Sequence, residues 1–402
     1  MRENIKNLES YRKIWIGLSI IYPVSLLLSI GATKILLILI AFGWIFFHSK
    51  IPTSHTRMLF YLIALYLAWT LIAVAFSPFS SNWNIWFRER AIFLSIIPGL
   101  VVGSNNDWLR KSLRYVSILL LPITIYAVYQ YYFGWDLLRG RQLLPLFDRF
   151  LATGLQDLHL TFAGMLGVIT PVVAAFNSAS LRRAGFVSAF GAISVLSSMA
   201  RSILLGLLVC GGLFLVFGSR KLRITGAILI FVLVILSSTL FSASGERLKR
   251  GLNIAKAPTE QQGDPTRIYL WKSAINILSN HPITGIGDDN WDIAFLKYRI
   301  PYEYYSTTAH AHNDFLQAMV DHGIIAGVIF ISMWIYIISR TIKSVRHSRG
   351  LDRNLRLGIL AAFTVMLIGG MFQTYQTDAE NALLLWFFIG VSMQLAATTE
   401  KG

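Results

Sequence analysis

Three short stretches of this sequence carry residue types suited to chemistry on phosphate and hydroxyl groups. In SSMARS, Arg201 is the only charged residue between Ala184 and Ser219. A guanidinium between two apolar runs costs a few kcal/mol unless it is paired or hydrated. It either snorkels to lipid phosphate or binds an anion in a cavity. In GDPTRIYLWKSAINIL, Asp264 can cap a helix with Pro265 in its first turn. Ile268, Trp271, Ile275 and Leu278 then repeat at helical spacing and face the membrane or a helix bundle. Arg267 falls in the first turn, where the helix dipole disfavours a cation unless an anion binds there; a solvated surface arginine is the plainer alternative. The third stretch, TTAHAHNDFLQAMVDHGIIAG, places His310 and His312 just before an apolar helix, with Asn313 or Asp314 as its cap. Metal sites need three or four ligands, and none follows at diagnostic spacing. A histidine acting as general base on a hydroxyl is the more economical reading, because its pKa lies near working pH. Gly323 and Gly327 would let another element come close to this helix.

Weaker signals accompany these. Arg88 and Arg90, in NIWFRERAIF, could add to an anion site, while Arg139, Arg141 and Arg149 read better as interfacial arginines. Asp378 and Glu380 could pair with an arginine or hold an acceptor hydroxyl. Tyr302, Tyr304 and Tyr305 could line a sugar groove or bury their rings at a membrane interface.

The elements that must position these groups are transmembrane helices. The 402 residues are 55% hydrophobic and 14% charged, with a mean hydropathy of +0.57; a soluble domain carries about 25% charged residues. Apolar runs as long as a bilayer is thick recur throughout. Twelve are counted: residues 14–30, 35–47, 58–76, 91–102, 116–133, 160–176, 184–199, 203–217, 224–241, 324–338, 357–372 and 382–395. The run 91–102 is the weakest and reads as a broken or partly inserted helix. With the N-terminus inside, the inside segments hold 21 Lys and Arg against 7 in the short outside loops. This bias supports an even number of spans with both termini cytoplasmic. It also accounts for the net charge of +16 without nucleic acid. The lone Cys210 excludes an intramolecular disulfide. The basic N-terminus reads as an uncleaved signal anchor. Nine spans (1–241) precede a long outside loop (242–323), and three spans (324–402) follow it. The loop is rich in aromatics, including Tyr269, Trp271, Trp291 and Phe295, and should fold into a small helical cap rather than remain disordered. The expected fold class is an all-α integral membrane protein.

In this order, the three stretches resemble the O-antigen ligase superfamily. SSMARSILLG resembles its Ser-Arg turn. TRIYLWKSAINILSNHPITGIG resembles its loop helix followed by a Pro-x-x-Gly-x-Gly turn, here Pro282, Gly285 and Gly287, with His281 in place of the usual Asn. HAHNDFLQAMVDHGIIAG resembles its His-Asn segment before a glycine-spaced helix. The resemblance implies a metal-independent, cofactor-free, inverting glycosyltransferase of the bacterial inner membrane, active on the periplasmic face in lipopolysaccharide biosynthesis. The donor would be O-antigen on undecaprenyl diphosphate and the acceptor lipid A–core oligosaccharide, both delivered among membrane lipids. Arg201 and Arg267 would clamp the diphosphate and His312 would take the acceptor proton. Arg88, Arg90, His310, Asn313 and Tyr305 would contact diphosphate or sugar. An O-antigen polymerase shares these motifs. A protein O-glycosyltransferase usually carries a further soluble C-terminal region, and a flippase would place charges near the membrane midplane.

Overall fold

The computed structural model describes residues 2–48, 56–252, 264–301 and 310–399. In hydrocarbon a backbone amide finds a partner only within its own segment, so apolar runs fold as helices. The first are α1 (Arg2–Leu28), α2 (Ile30–Phe47) and α3 (Arg57–Ala75). The expected fourth span is broken, running as α4 (Trp83–Arg90), a 3₁₀ turn (Ala91–Ser95) and α5 (Ile96–Gly103). Then come α6 (Asn106–Phe133), α7 (His159–Phe176), α8 (Leu181–Ser198), α9 (Arg201–Phe217) and α10 (Arg220–Ser238). Three shorter helices follow: α11 (Ser242–Leu252), α12 (Asp264–Asn280) and α13 (Trp291–Tyr298). The chain closes with α14 (Asp314–Arg346), α15 (Gly350–Gly370) and α16 (Ala379–Thr399).

The twelve apolar runs fall largely on helical structure, and among the described residues eight helices, fewer than the twelve spans expected, are long and apolar enough to cross a membrane. Two of these, α7 and α16, are largely buried inside the protein, whereas α2, α3 and α10 leave most of their surface outward. Glycines allow the central contacts. A Cβ on Gly99 of α5 would lie 2.1 Å from the Phe387 carbonyl of α16, and one on Gly358 of α15 would lie 2.7 Å from the Pro171 carbonyl of α7.

The two ends of the bundle differ. At one end, Asn354 donates to Ser178 Oγ and Ser219 Oγ at 2.9 and 2.8 Å, and Lys221 reaches the Ala179 carbonyl at 2.7 Å. Arg353 donates to the Phe217 carbonyl at 2.6 Å, and Arg356 to that of Leu395. This end gathers the basic loops. The opposite end carries the elements described next.

Two features depart from expectation. The 134–158 segment forms two small antiparallel ribbons, β1 (Trp135–Asp136) with β2 (Arg141–Gln142) and β3 (Pro145–Leu146) with β4 (Arg149–Phe150), so the chain is not wholly helical. Arg139 and Arg141 also do more than snorkel. Arg139 pairs with the buried Asp136 at 3.3 Å and with Asp157 at 2.7 Å, and Arg141 donates to the Asp157 carbonyl at 2.7 Å. A buried carboxylate needs such partners, and Asp136 also accepts from the Tyr126 hydroxyl at 2.8 Å.

Candidate active site

The 242–323 segment builds its own small core from Leu270, Ala274 and Ile277 of α12, Trp291 and Phe295 of α13, and Val320 of α14. Of the expected apolar set on α12, Ile268 and Ile275 are exposed, Leu278 packs against this core, and Trp271 packs near Phe372 with ring centroids 6.3 Å apart.

The Pro282–Gly287 turn fastens this segment to the bundle through a break in α14. Gly323 adopts φ +81° inside that helix, and a Cβ there would fall 1.8 Å from the Ile283 carbonyl. The freed backbone groups pair across the break. Ile286 N donates to the Val320 carbonyl at 2.9 Å, Gly287 N to that of Asp321 at 2.8 Å, and Ile324 N to that of Pro282 at 2.8 Å. Trp69 of α3 donates to the His322 carbonyl at 3.0 Å, and Ser77 to that of Ile286 at 2.5 Å.

A buried ionic latch lies beside the turn. Asp288 Oδ1 accepts from Arg90 at 2.9 Å and stands 3.1 Å from His322 Nε2, while Arg90 also pairs with Glu89 at 2.9 Å. Burial alone would raise the Asp288 carboxyl, but His322 and Arg90 outweigh it and hold it well below the usual range. Asp288, Asp321 and His322 offer ligand atoms within 4.8 Å of one another. The Arg90 guanidinium already bonds two of these groups and supplies the positive charge such a trio requires, so we read an ion-pair network. Arg90 is thus placed with Asp288 rather than with His312. Arg88 is exposed and lines a neighbouring cavity of about 530 Å³. That cavity has apolar walls from Leu37, Ile92, Phe93, Phe330 and Trp386, and its polar wall includes Asp314 and Gln376.

Asp314 leads to the principal site. Its carboxylate accepts from Gln376 N at 2.9 Å and ties the start of α14 to the α15–α16 loop. Asn313 caps α14 by accepting from Leu316 N at 2.9 Å and donates to the Met371 carbonyl at 3.1 Å, so its amide is engaged at both ends. His312, held at φ +51°, lies just before this cap. Its Nδ1 meets Gln373 Oε1, and its ring packs against His310 with centroids 4.3 Å apart. Burial pulls His312 below the ordinary histidine pKa; the Gln373 contact acts the other way, and the Arg267 charge adds to the lowering. Burial and then the His312 ring push His310 down to about 4.

The arginines enter from two other helix starts. Met199, which closes α8 two residues before α9, is left-handed at φ +56°, and its carbonyl accepts from Arg247 at 3.1 Å. Arg201 is the first residue of α9, half-buried, and its neighbour Ser202 lies 3.3 Å from the Tyr375 hydroxyl. Arg267 stands in the first turn of α12, and its charge acts on both His312 and Tyr375. Asp378 accepts from the hydroxyl of Thr161 at the start of α7 and from Asn381 N at the start of α16; burial raises its pKa. The starts of α7, α9, α12, α14 and α16 therefore meet around one site. Their converging dipoles make this a region that favours an anion.

Arg201, Arg267, His310 and His312 are brought to one region. Tyr302, Tyr304 and Tyr305 lie outside the described residues. Gln373 and Tyr375 were not singled out from sequence; their only signal is a polar interruption, QTYQTD, between two apolar runs. No curated protein matches the chain. Residues 186–331, which contain both arginines and both histidines of this site, match the family model described as O-antigen ligase. This match supports placing the chain, a multi-pass helical membrane protein, in the O-antigen ligase family, within the ligase and polymerase superfamily.

Proposed function

We propose that the protein is an O-antigen ligase of the bacterial inner membrane, with both termini cytoplasmic and the His312 end of the bundle facing the periplasm. It would move O-antigen polysaccharide from undecaprenyl diphosphate to a sugar hydroxyl of lipid A–core. The observation that carries this reading is the meeting of Arg267 and His312, within reach of each other's charge, among helix starts inside the segment matched to the family. A diphosphate leaving an anomeric carbon develops negative charge. Arg201 and Arg267 offer planar donor forks that suit phosphate oxygens, and a preorganised site of this kind contributes several kcal/mol to a transition state.

In this reading His312 removes the proton from the acceptor hydroxyl. The acceptor oxygen bonds to the anomeric carbon as the carbon–oxygen bond to the diphosphate breaks, and the configuration inverts in one displacement. The lowered pKa of His312 keeps the ring neutral near pH 7, the form a base must have. No metal or nucleotide enters, because the lipid diphosphate linkage carries the energy. Deleting the gene in its host tests the assignment. A ligase predicts loss of polymer on lipid A–core while lipid-linked polymer accumulates. Loss of polymer length itself would identify a polymerase instead.

A further inference from the structure

We infer that His312 acts through Nε2 and that Gln373 is the positioning residue that fixes this tautomer; the inference rests on His312 being the base of the proposed transfer. A neutral imidazole has one donor and one acceptor nitrogen. Gln373 Oε1, an acceptor, faces Nδ1, so the proton belongs on Nδ1 and the lone pair on Nε2. The contact is sheltered, since Gln373 is 8% exposed, and it spans two separate elements: the loop leading into α14 and the α15–α16 loop. The α15–α16 loop is itself fixed, through Gln376 N to Asp314 Oδ1 at 2.9 Å and Asn313 Nδ2 to the Met371 carbonyl at 3.1 Å. Gln373 therefore holds the ring at a set angle, as a carboxylate does in many acid–base sites, without adding a negative charge. Gln373 lies outside the segment matched to the family.

The charged and titratable groups that act on the ring are His310 on its own segment and Arg267 of α12; Asp314, Asp378 and the same Arg267 act on Tyr375 of the α15–α16 loop. In the proton transfer, the acceptor O–H bond breaks, its proton goes to Nε2, and the imidazolium that forms is stabilised at Nδ1–H by the amide oxygen. A carboxylate at position 373 could only accept from Nδ1. It would preserve the working tautomer and favour the protonated ring, so Gln373→Glu moves the acidic limb of the pH–rate profile upward. A methionine keeps the bulk but neither orients the ring nor selects a tautomer.

The test is the pH–rate profile of transfer by purified full-length protein in detergent, for wild type, Gln373→Glu, Gln373→Met and His312→Ala. The expected results are an acidic limb raised by about one pH unit in Gln373→Glu with activity retained above it, and a loss of about tenfold to a hundredfold in Gln373→Met, part of what a positioned base contributes. A folded Gln373→Glu inactive at every pH, or one with an unmoved limb, overturns the assignment. So does a Gln373→Met protein with the wild-type rate. Either variant decides the point alone. If His312→Ala is inactive, these outcomes sink only the role of Gln373; if it is fully active, the underlying reading falls instead.

Discussion

His312 shows how one side chain is prepared by its surroundings. Burial and the nearby Arg267 charge both oppose protonation, so the base form persists below the ordinary histidine value of about 6.5. Transfer should be flat through neutral pH and fall only as pH drops below about 6.5, which a pH–rate profile measures. A midpoint above 7 would contradict this order of effects. Replacing Arg267 with Ala removes a charge that opposes protonation, so any residual activity should show its acidic limb at higher pH. The same change should cut transfer by a factor of about a hundred or more if Arg267 stabilises the leaving group. At this scale the sequence was informative where residue type and isolation coincide: Arg201 stands alone in 36 residues of otherwise uncharged chain. Gln373 was illegible because glutamine follows no pattern and its partner is 61 positions away.

At the scale of elements, the Pro282–Gly287 turn and the break in α14 act as a single joint. Gly323→Ala places a Cβ 1.8 Å from the Ile283 carbonyl at a backbone angle of φ +81°, and neither problem can relax without undocking the turn. The variant should lose transfer and show a lower thermal midpoint in detergent, because strained backbone costs about 1–3 kcal/mol before any clash is counted. The adjoining latch makes a second prediction. Asp288→Asn removes the more buried of the two carboxylates paired with Arg90 and leaves it Glu89 alone, a loss of up to about 3–5 kcal/mol for a buried pair, whereas Arg90→Gln combined with Asp288→Asn should cost less than the two single changes added together. Thermal unfolding of the three proteins measures this, and strict additivity would deny the pairing. The glycine-rich turn was visible in the sequence. Its docking partner was not, because a helix interrupted by one glycine still reads as helix. Arg90 was assigned to an anion site because its neighbours Asp288 and His322 lie about 200 positions further along the chain.

The whole molecule is polarised, with basic loops at one end and the His312 site at the other. Its single cysteine, Cys210, is buried, which makes topology accessible to thiol labelling. Leu144→Cys, on the exposed turn between β2 and β3, should react with a membrane-impermeant maleimide added to spheroplasts. Leu351→Cys, in the first turn of α15, should react only after permeabilisation. The reverse pattern would invert the proposed orientation. Apolar length and charge bias made the bundle and its ends legible. The weakness of the fourth run also marked it as a broken helix, and the break falls at residues 91–95; what the run could not reveal is its anchor, where the Ser95 hydroxyl donates to the Leu383 carbonyl at 2.5 Å and the chain settles against α16. The two ribbons in 134–158 were equally hidden, since each strand has only two residues.

The most direct test of the central claim is reconstituted transfer. Purified protein, undecaprenyl-diphosphate-linked polysaccharide and lipid A–core are combined in the presence of a metal chelator, with wild type and His312→Ala compared at equal folded amounts. The proposed function predicts polymer on lipid A–core with inverted anomeric configuration for wild type and none for the variant. Undiminished transfer by His312→Ala, or retention of configuration, would contradict it.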